Sequence, residues 1–308
     1  MIKYQNVGMT YGKNVVLENI DLEIKTGELF VLVGPSGSGK TTLLRMLNQL
    51  TLPTAGDIYY EGKKIKTYDK QKLRLQMGYV PQVSSLFPNL NIEENITIQL
   101  EQLRVPKAKR KARAKELLAS VDLEPEKFAK RMPDELSGGQ QQRVAIIRAL
   151  ATDPKLILMD ESFSALDPVL RRQSQDLILE LHQRLQTTIV FVTHDMQEAM
   201  RLGDRIAILH EGQVQQIGTP TQIIEAPAND FVREFFAPAR PRFWNLATVC
   251  NKAQVLTYDP TAAKVADFDQ LLAQLTQQTT LIFNYQEQTY QLSQTQLLEF
   301  FQEQGGST

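Results

Sequence analysis

Leu136-Ser137-Gly138-Gly139-Gln140 is a polar, glycine-rich turn leading into a helix, and in isolation it would decide little. Its place in the chain gives it weight. Upstream stands Gly34-Pro35-Ser36-Gly37-Ser38-Gly39-Lys40-Thr41, followed by Thr42. Downstream stands Leu156-Ile157-Leu158-Met159-Asp160-Glu161. The first flank satisfies G-x-x-x-x-G-K-[ST] between an apolar strand and a helix, the context this motif requires. Its glycines let the backbone approach phosphate oxygens. Ser36, Ser38 and the consecutive N–H groups face the same anion as the helix N-terminus. Lys40 can reach terminal phosphates, and Thr41 can offer its hydroxyl to Mg²⁺. The second flank is a buried strand delivering two adjacent carboxylates to a sheet edge. Burying them there is costly unless the charges have a task. Asp160 stands where P-loop enzymes hold Mg²⁺.

Working outward, residues 29–33 form a continuous apolar strand. The helix from Lys40 carries Leu43, Leu44 and Leu47 on one face. Residues 1–27 alternate apolar and polar, which predicts short antiparallel strands. Further strands are expected at 58–60, 77–80, 156–159, 188–193 and 205–209, with helices at 169–186 and 196–202. From residue 90 to 150 the pattern is helical, including a Lys/Arg/Ala/Leu-rich helix at 104–119. The expectation is a parallel α/β sheet with an antiparallel β subdomain and a helical insert over about 88–152.

The chain has 308 residues, room for one large domain and a small one. No apolar run approaches the ~18 residues needed to cross a bilayer, so a membrane role requires a separate partner chain. The N-terminus has neither an apolar signal core nor a cleavage site, which argues against secretion. Cys250 is the single cysteine, which excludes an internal disulfide and fits a reducing compartment. Ala237-Pro238-Ala239-Arg240-Pro241 reads as a linker dividing domains 1–237 and 238–308. From Pro241 onward three basic residues stand against six acidic ones, so the tail differs in charge from the near-neutral body. It reads strand (254–258), helix (268–275), strand (280–285), strand (289–292), helix (295–304).

The three stretches in this order resemble the ATP-binding-cassette (ABC) family over about residues 1–237. The resemblance implies a P-loop (RecA-like) ATPase in which two chains, head to tail, clamp two ATP molecules. It makes Glu161 the residue that polarises the attacking water. It makes His194, in Val192-Thr193-His194-Asp195, a partner of the γ-phosphate, and Gln82, in Val80-Pro81-Gln82, a Mg²⁺ contact that couples to the transporter. Tyr11 resembles the aromatic that stacks on adenine; the alternative is a half-buried strand tyrosine. Ser137, Gly139 and Gln140 would face the nucleotide of the opposite protomer. Ser164-Ala165-Leu166-Asp167 would cross the interface beside it. Ser162 stands where related importers usually carry proline, which would loosen the catalytic turn.

Leu86-Phe87-Pro88-Asn89-Leu90, Arg131-Met132-Pro133-Asp134-Glu135 and Phe163-Ser164-Ala165-Leu166-Asp167-Pro168 are similar to importers of glycine betaine, carnitine, choline or proline. That resemblance implies an integral-membrane permease, an indirect link to a substrate-binding protein, and a peripheral position on the cytoplasmic side of the membrane. An importer for methionine or polar amino acids is the alternative. ABC proteins acting on DNA or the ribosome usually carry two cassettes or a coiled-coil insert, neither of which is seen here. In osmolyte importers the cassette is often followed by CBS domains, and the tail resembles one CBS motif. Ser293 could replace that motif's threonine, but Gln296 stands where its ribose-binding aspartate would be. A ligand-free dimerisation module is favoured over an adenine-nucleotide sensor. The basic run Arg104, Lys107, Lys109, Arg110, Lys111, Arg113 and Lys115 reads as a solvated helix face, with anionic lipid as the alternative and no nucleic acid expected.

Overall fold

A computed structural model of the chain describes residues 1–82, 86–164, 166–237, 249–265, 268–276, 278–286 and 288–305. The chain divides into two compact units, Met1–Ala239 and Arg240–Thr308. The linker expected at 237–241 lies outside the described residues from 238 onward, as does Ala165 in the turn after Glu161.

In the first unit, β1 (Ile2–Tyr11) and β2 (Asn14–Ile24) form a long antiparallel hairpin. β3 (Leu29–Val33) then runs into the phosphate-cradle motif and α1 (Lys40–Leu47). β4 (Ala55–Tyr60) and β5 (Lys63–Lys64) complete a four-stranded sheet of order β2-β1-β4-β5. After α2 (Lys70–Leu75) and β6 (Met77–Val80) come the helices α3 (Ile92–Gln102), α4 (Lys107–Ala119), α5 (Pro125–Phe128) and α6 (Gly138–Leu150). The chain returns through β7 (Leu156–Asp160), α7 (Pro168–Leu185), β8 (Thr188–Thr193), α8 (Met196–Leu202), β9 (Arg205–His210) and β10 (Gln213–Gly218). α9 (Pro220–Glu225) and α10 (Asp230–Phe235) close the unit. The second sheet has order β10-β9-β3-β8-β7-β6 and is parallel except for β10.

The apolar runs of the parallel strands serve two cores at once. Leu29, Val31 and Val33 of β3, with Ile157 and Met159 of β7, pack with the helices of the insert. The alternate residues Phe30, Leu32, Leu156 and Leu158 pack with α1 and the antiparallel sheet. A strand buried on both faces cannot alternate in polarity, which is why these segments read as unbroken hydrophobic stretches. Each such side chain contributes roughly 1.5–3 kcal/mol of burial. The rigid result carries the site on the ends of β3, β6, β7 and β8.

Three expected boundaries move by two residues or more, the first being the strand expected at 58–60, which begins at Ala55. The helix expected from residue 104 begins at Lys107, because Pro106 occupies its N-cap and Arg104 has a left-handed φ of 57°. The first tail strand ends at Leu256, because the chain turns at Asp259, whose N–H donates to Thr289 Oγ1 at 2.8 Å. The basic run is only partly a free solvated face: Arg110 pairs with Glu101, Arg113 with Glu116 and Asp153, and Lys115 with Glu126.

The second unit holds β11 (Gln254–Leu256), β12 (Ala263–Lys264), β13 (Thr280–Tyr285) and β14 (Gln288–Ser293) in the order β11-β14-β13-β12. Its helices are Phe268–Leu275 and Gln294–Gly305. Val249, Cys250, Leu271, Leu281, Phe283 and Leu292 form its core. Among the described residues, no helix is long and apolar enough to cross a membrane.

Candidate functional site

The cradle opens where β3 ends. A side-chain carbon on Gly34 would lie 2.1 Å from the backbone oxygen of Leu209, so no neighbouring side chain could relieve the clash. Gly39 has φ 98° and would drive a Cβ to 2.4 Å from Leu17. The turn is therefore accessible only to glycine at both points. Lys40 is buried, and its ammonium donates to the carbonyls of Gly34 and Pro35, both at 2.8 Å, with Ser38 Oγ at 3.4 Å. Burial lowers the Lys40 pKa, while the charges of Glu161 and Asp160 oppose that shift. Ser36 and Gly37 are exposed; Thr41 and Thr42 are half-buried.

β7 brings its carboxylates to this cradle. Asp160 is 2 % exposed and accepts a hydrogen bond from Thr41 Oγ1 at 2.7 Å. Arg45 Nη2 lies 3.4 Å from the other carboxylate oxygen. Tyr79 also borders Asp160, and its hydroxyl pKa is raised by burial first and by the Asp160 charge second. An adjacent hydroxyl and carboxylate form an all-oxygen donor set of the kind Mg²⁺ prefers, so these residues fit that ion.

Glu161 follows in a left-handed conformation, φ 44°, a position that is uncommon outside glycine. Its N–H donates to Val192 O at 2.9 Å, which ties the end of β7 to β8. One of its carboxylate oxygens, Oε2, receives two partners: Gln82 Nε2 donates at 3.3 Å and His194 Nδ1 lies at 3.1 Å. Gln82, Glu161 and His194 thus meet at one atom, although they come from the ends of three strands. The turn that lacks proline is held by other bonds. Ser162 is buried with its hydroxyl donating to Val80 O at 3.4 Å, and Ser164 Oγ donates to Glu161 O at 3.0 Å.

The remaining expected residues stand apart from that cluster in their bonding. Ser137 caps α6 in a reciprocal box with Gln140, through bonds of 3.0 and 3.3 Å. Gly138 is exposed, and Gly139 packs against Leu170. Asp167 caps α7 by accepting from the N–H groups of Val169 and Leu170, both at 3.0 Å. Tyr11 is 52 % exposed at the tip of the β1–β2 hairpin, whose Val16 and Leu17 border Gly39. Ser293 and Gln296 in the tail satisfy one another: Gln296 Oε1 accepts from the Ser293 N–H at 2.9 Å and from its hydroxyl at 3.0 Å.

Sequence reasoning missed Arg45, Tyr79, Arg171 and Glu198. Arg45 had a readable signal, since it lies four residues after Thr41 on the same helical face. The other three act across the fold and left none.

A family model described as ABC transporter matches residues 17–164. The glycine betaine/carnitine/choline transport ATP-binding protein OpuCA of Bacillus subtilis is 48% identical over 241 residues, covering 78% of this chain and 63% of that protein. The choline transport ATP-binding protein OpuBA of the same organism gives the same identity and coverage. The chain thus spans less than two thirds of the length of these relatives. Among solved structures, the dimeric post-hydrolysis state of the ATP-binding cassette MJ0796 bound to ADP and Pi superimposes with a TM-score of 0.64 at 38% identity, covering 71% of this chain and 99% of that one. With matches of this depth across the whole of a solved cassette, the chain belongs to the ATP-binding-cassette transporter family.

Proposed function

We propose that this chain is the ATP-hydrolysing subunit of an ABC importer for small quaternary-ammonium osmolytes of the glycine betaine, carnitine or choline kind. The observation that carries the enzymatic half is the meeting of Gln82 and His194 on one oxygen of Glu161, beside the Gly34–Thr41 cradle. A carboxylate held there by two side chains is oriented to take a proton from an attacking water. Lys40 and the cradle N–H groups bind the phosphates, and Thr41 and Asp160 would hold Mg²⁺. When bound, that ion neutralises phosphate charge. The rate then rests on positioning and charge neutralisation. Two copies working head to tail would bring Ser137 and Gly139 of each to the nucleotide of the other.

The substrate class is supported by the names of OpuCA and OpuBA. A permease would place the chain at the cytoplasmic face of the membrane. We read the tail as a small ligand-free dimerisation module, because Gln296 stands where a ribose-binding aspartate would be and Gln294, beside Ser293, is bonded to Leu275 O and Gln278 O.

Uptake of labelled glycine betaine, carnitine, choline and methionine in cells lacking the chain tests the proposal. Wild type should restore osmolyte uptake, and Glu161→Gln should not, with ATP turnover falling at least ~100-fold while ATP still binds. Rescue of methionine uptake alone would transfer the chain to amino-acid import. Unchanged turnover in Glu161→Gln would remove Glu161 from its role.

A further inference from the structure

Behind His194 lies a buried carboxylate that the proposed reaction does not use. Glu198 on α8 is 5 % exposed. Thr193 Oγ1 donates to its Oε2 at 2.6 Å, and Gln175 Nε2 donates to its Oε1 at 3.2 Å. Thr193 precedes His194, and the same hydroxyl accepts from the N–H of Asp195, the residue after it, at 3.0 Å. The backbone on both sides of His194 is therefore referred to Glu198.

Arg171 on α7 reaches the same place from the other direction. Its Nη2 donates to Leu166 O at 3.1 Å and its Nε to Phe163 O at 3.4 Å. Those carbonyls belong to the turn that follows Glu161. The same guanidinium lies 4.0 Å from Glu198 Oε1 and 3.9 Å from Asp195 Oδ2. One planar cation thus spans the turn behind the base and the carboxylates behind the histidine. Burial raises the Glu198 pKa first, the Asp195 charge adds to the rise, and the bonds from Thr193 and Gln175 with the Arg171 charge oppose it. Only the carboxylate of this pair is buried, the guanidinium is partly exposed, and at 4.0 Å the attraction adds little stability of its own. The place of the pair, between the turn after Glu161 and the strand end before His194, points to another use.

We propose that Arg171 and Glu198 are a positioning pair that sets the turn after Glu161 and the strand end bearing His194 in one fixed relation. Neither touches the reacting atoms. The inference rests on the functional reading above, because it gives Glu161 and His194 a common task.

The test uses the full chain with Arg171→Ala, Arg171→Lys, Glu198→Ala, Glu198→Gln and the double alanine variant. Arg171→Ala and Glu198→Ala should each lower kcat at least ~10-fold with less than about a twofold change in ADP affinity, since the cradle is separate from the pair. Their effects should not multiply: the double variant should be no slower than the worse single one. Arg171→Lys keeps the charge but loses the fork, and should fall between wild type and alanine. Losses that multiply, or a parallel loss of ADP affinity, would overturn the proposal.

Hydrogen exchange in the nucleotide-free chain reads the geometry without hydrolysis. The amides of Ser164 and Leu166 donate to Glu161 O and Phe163 O, and each alanine variant should speed their exchange at least ~10-fold. Acceleration spread along α7 and α8 instead would mean a merely structural role. A wild-type chain that turned over no ATP would sink the functional reading, and the exchange data would still decide the pair.

Discussion

Ser137 and Gln140 at the head of α6 make the same bonds as Ser293 and Gln296 at the head of the tail helix Gln294–Gly305. In each case the glutamine side-chain oxygen accepts the serine N–H, and the serine hydroxyl accepts the glutamine N–H. The residues between them differ. In the cassette they are Gly138 and Gly139, and a Cβ on Gly138 would meet nothing within 4 Å. In the tail they are Gln294 and Thr295, and Gln294 Nε2 donates to Leu275 O at 2.8 Å and to Gln278 O at 3.3 Å. One helix start is open at Gly138, as the nucleotide contact proposed for it requires; the other is bound to its own domain. The Ser-x-x-Gln box begins a helix in both places. On the proposed reading, what distinguishes a site from a cap is the absence of side chains between the serine and the glutamine.

The largest expected effect concerns glycine itself. Gly34→Ala should abolish detectable ATP binding and lower Tm, because the clash with Leu209 O is backbone against Cβ and can be relieved only by moving a strand. Gly138→Ala should leave Tm nearly unchanged, since its surroundings are open. Equal destabilisation by the two, measured by thermal melts and nucleotide titration, would break the contrast between close-packed and open glycines.

The next test sets the two boxes against each other. Ser137→Ala and Ser293→Ala should each cost about 1 kcal/mol of local helix stability. Only the first should lower ATP turnover, by roughly 100-fold, as loss of a donor to developing charge does. A similar fall in turnover for Ser293→Ala would give the tail a part in catalysis and erase the difference between the two boxes.

The smallest effect is one of pH. Native Glu198 keeps its proton to higher pH than it would in the unfolded chain, with Asp195 and Arg171 as its charged neighbours. Its stabilising contribution is complete below the unfolded carboxyl pKa and is lost as pH rises through the folded one. The Tm of Glu198→Gln relative to wild type should therefore climb as pH rises from the ordinary glutamate range toward neutrality. A difference that stayed flat would contradict the sign.

β3, β8 and α8 were legible in the sequence to the residue, because β3 is apolar throughout, β8 is apolar between two threonines, and α8 starts on an Asp cap. β10 was not: Gln213-Val214-Gln215-Gln216-Ile217-Gly218 is a half-buried edge strand held by β9, with too little apolar contrast to be read. The cradle and the carboxylates of Asp160 and Glu161 at the end of β7 were legible because phosphate chemistry constrains neighbouring positions. The φ of 44° at Glu161 was not, nor was the tie from Arg171 to Glu198, since both arise only when separate strands and helices meet. Proline's absence at Ser162 suggested a looser turn; the bonds to Val80 O and Glu161 O hold it in place of the ring.

Cys250 packs in the tail core at 6 % exposure, and burial pushes its thiol pKa up to about 11. At neutral pH only ~1 in 10,000 such thiols would be ionised, against a few per cent for a free cysteine. With a single cysteine in the chain, a thiol reagent would label it chiefly during excursions in which the tail core opens. The rate of that one reaction is a clock for tail opening, and it can be read in the presence and absence of ATP without adding a probe.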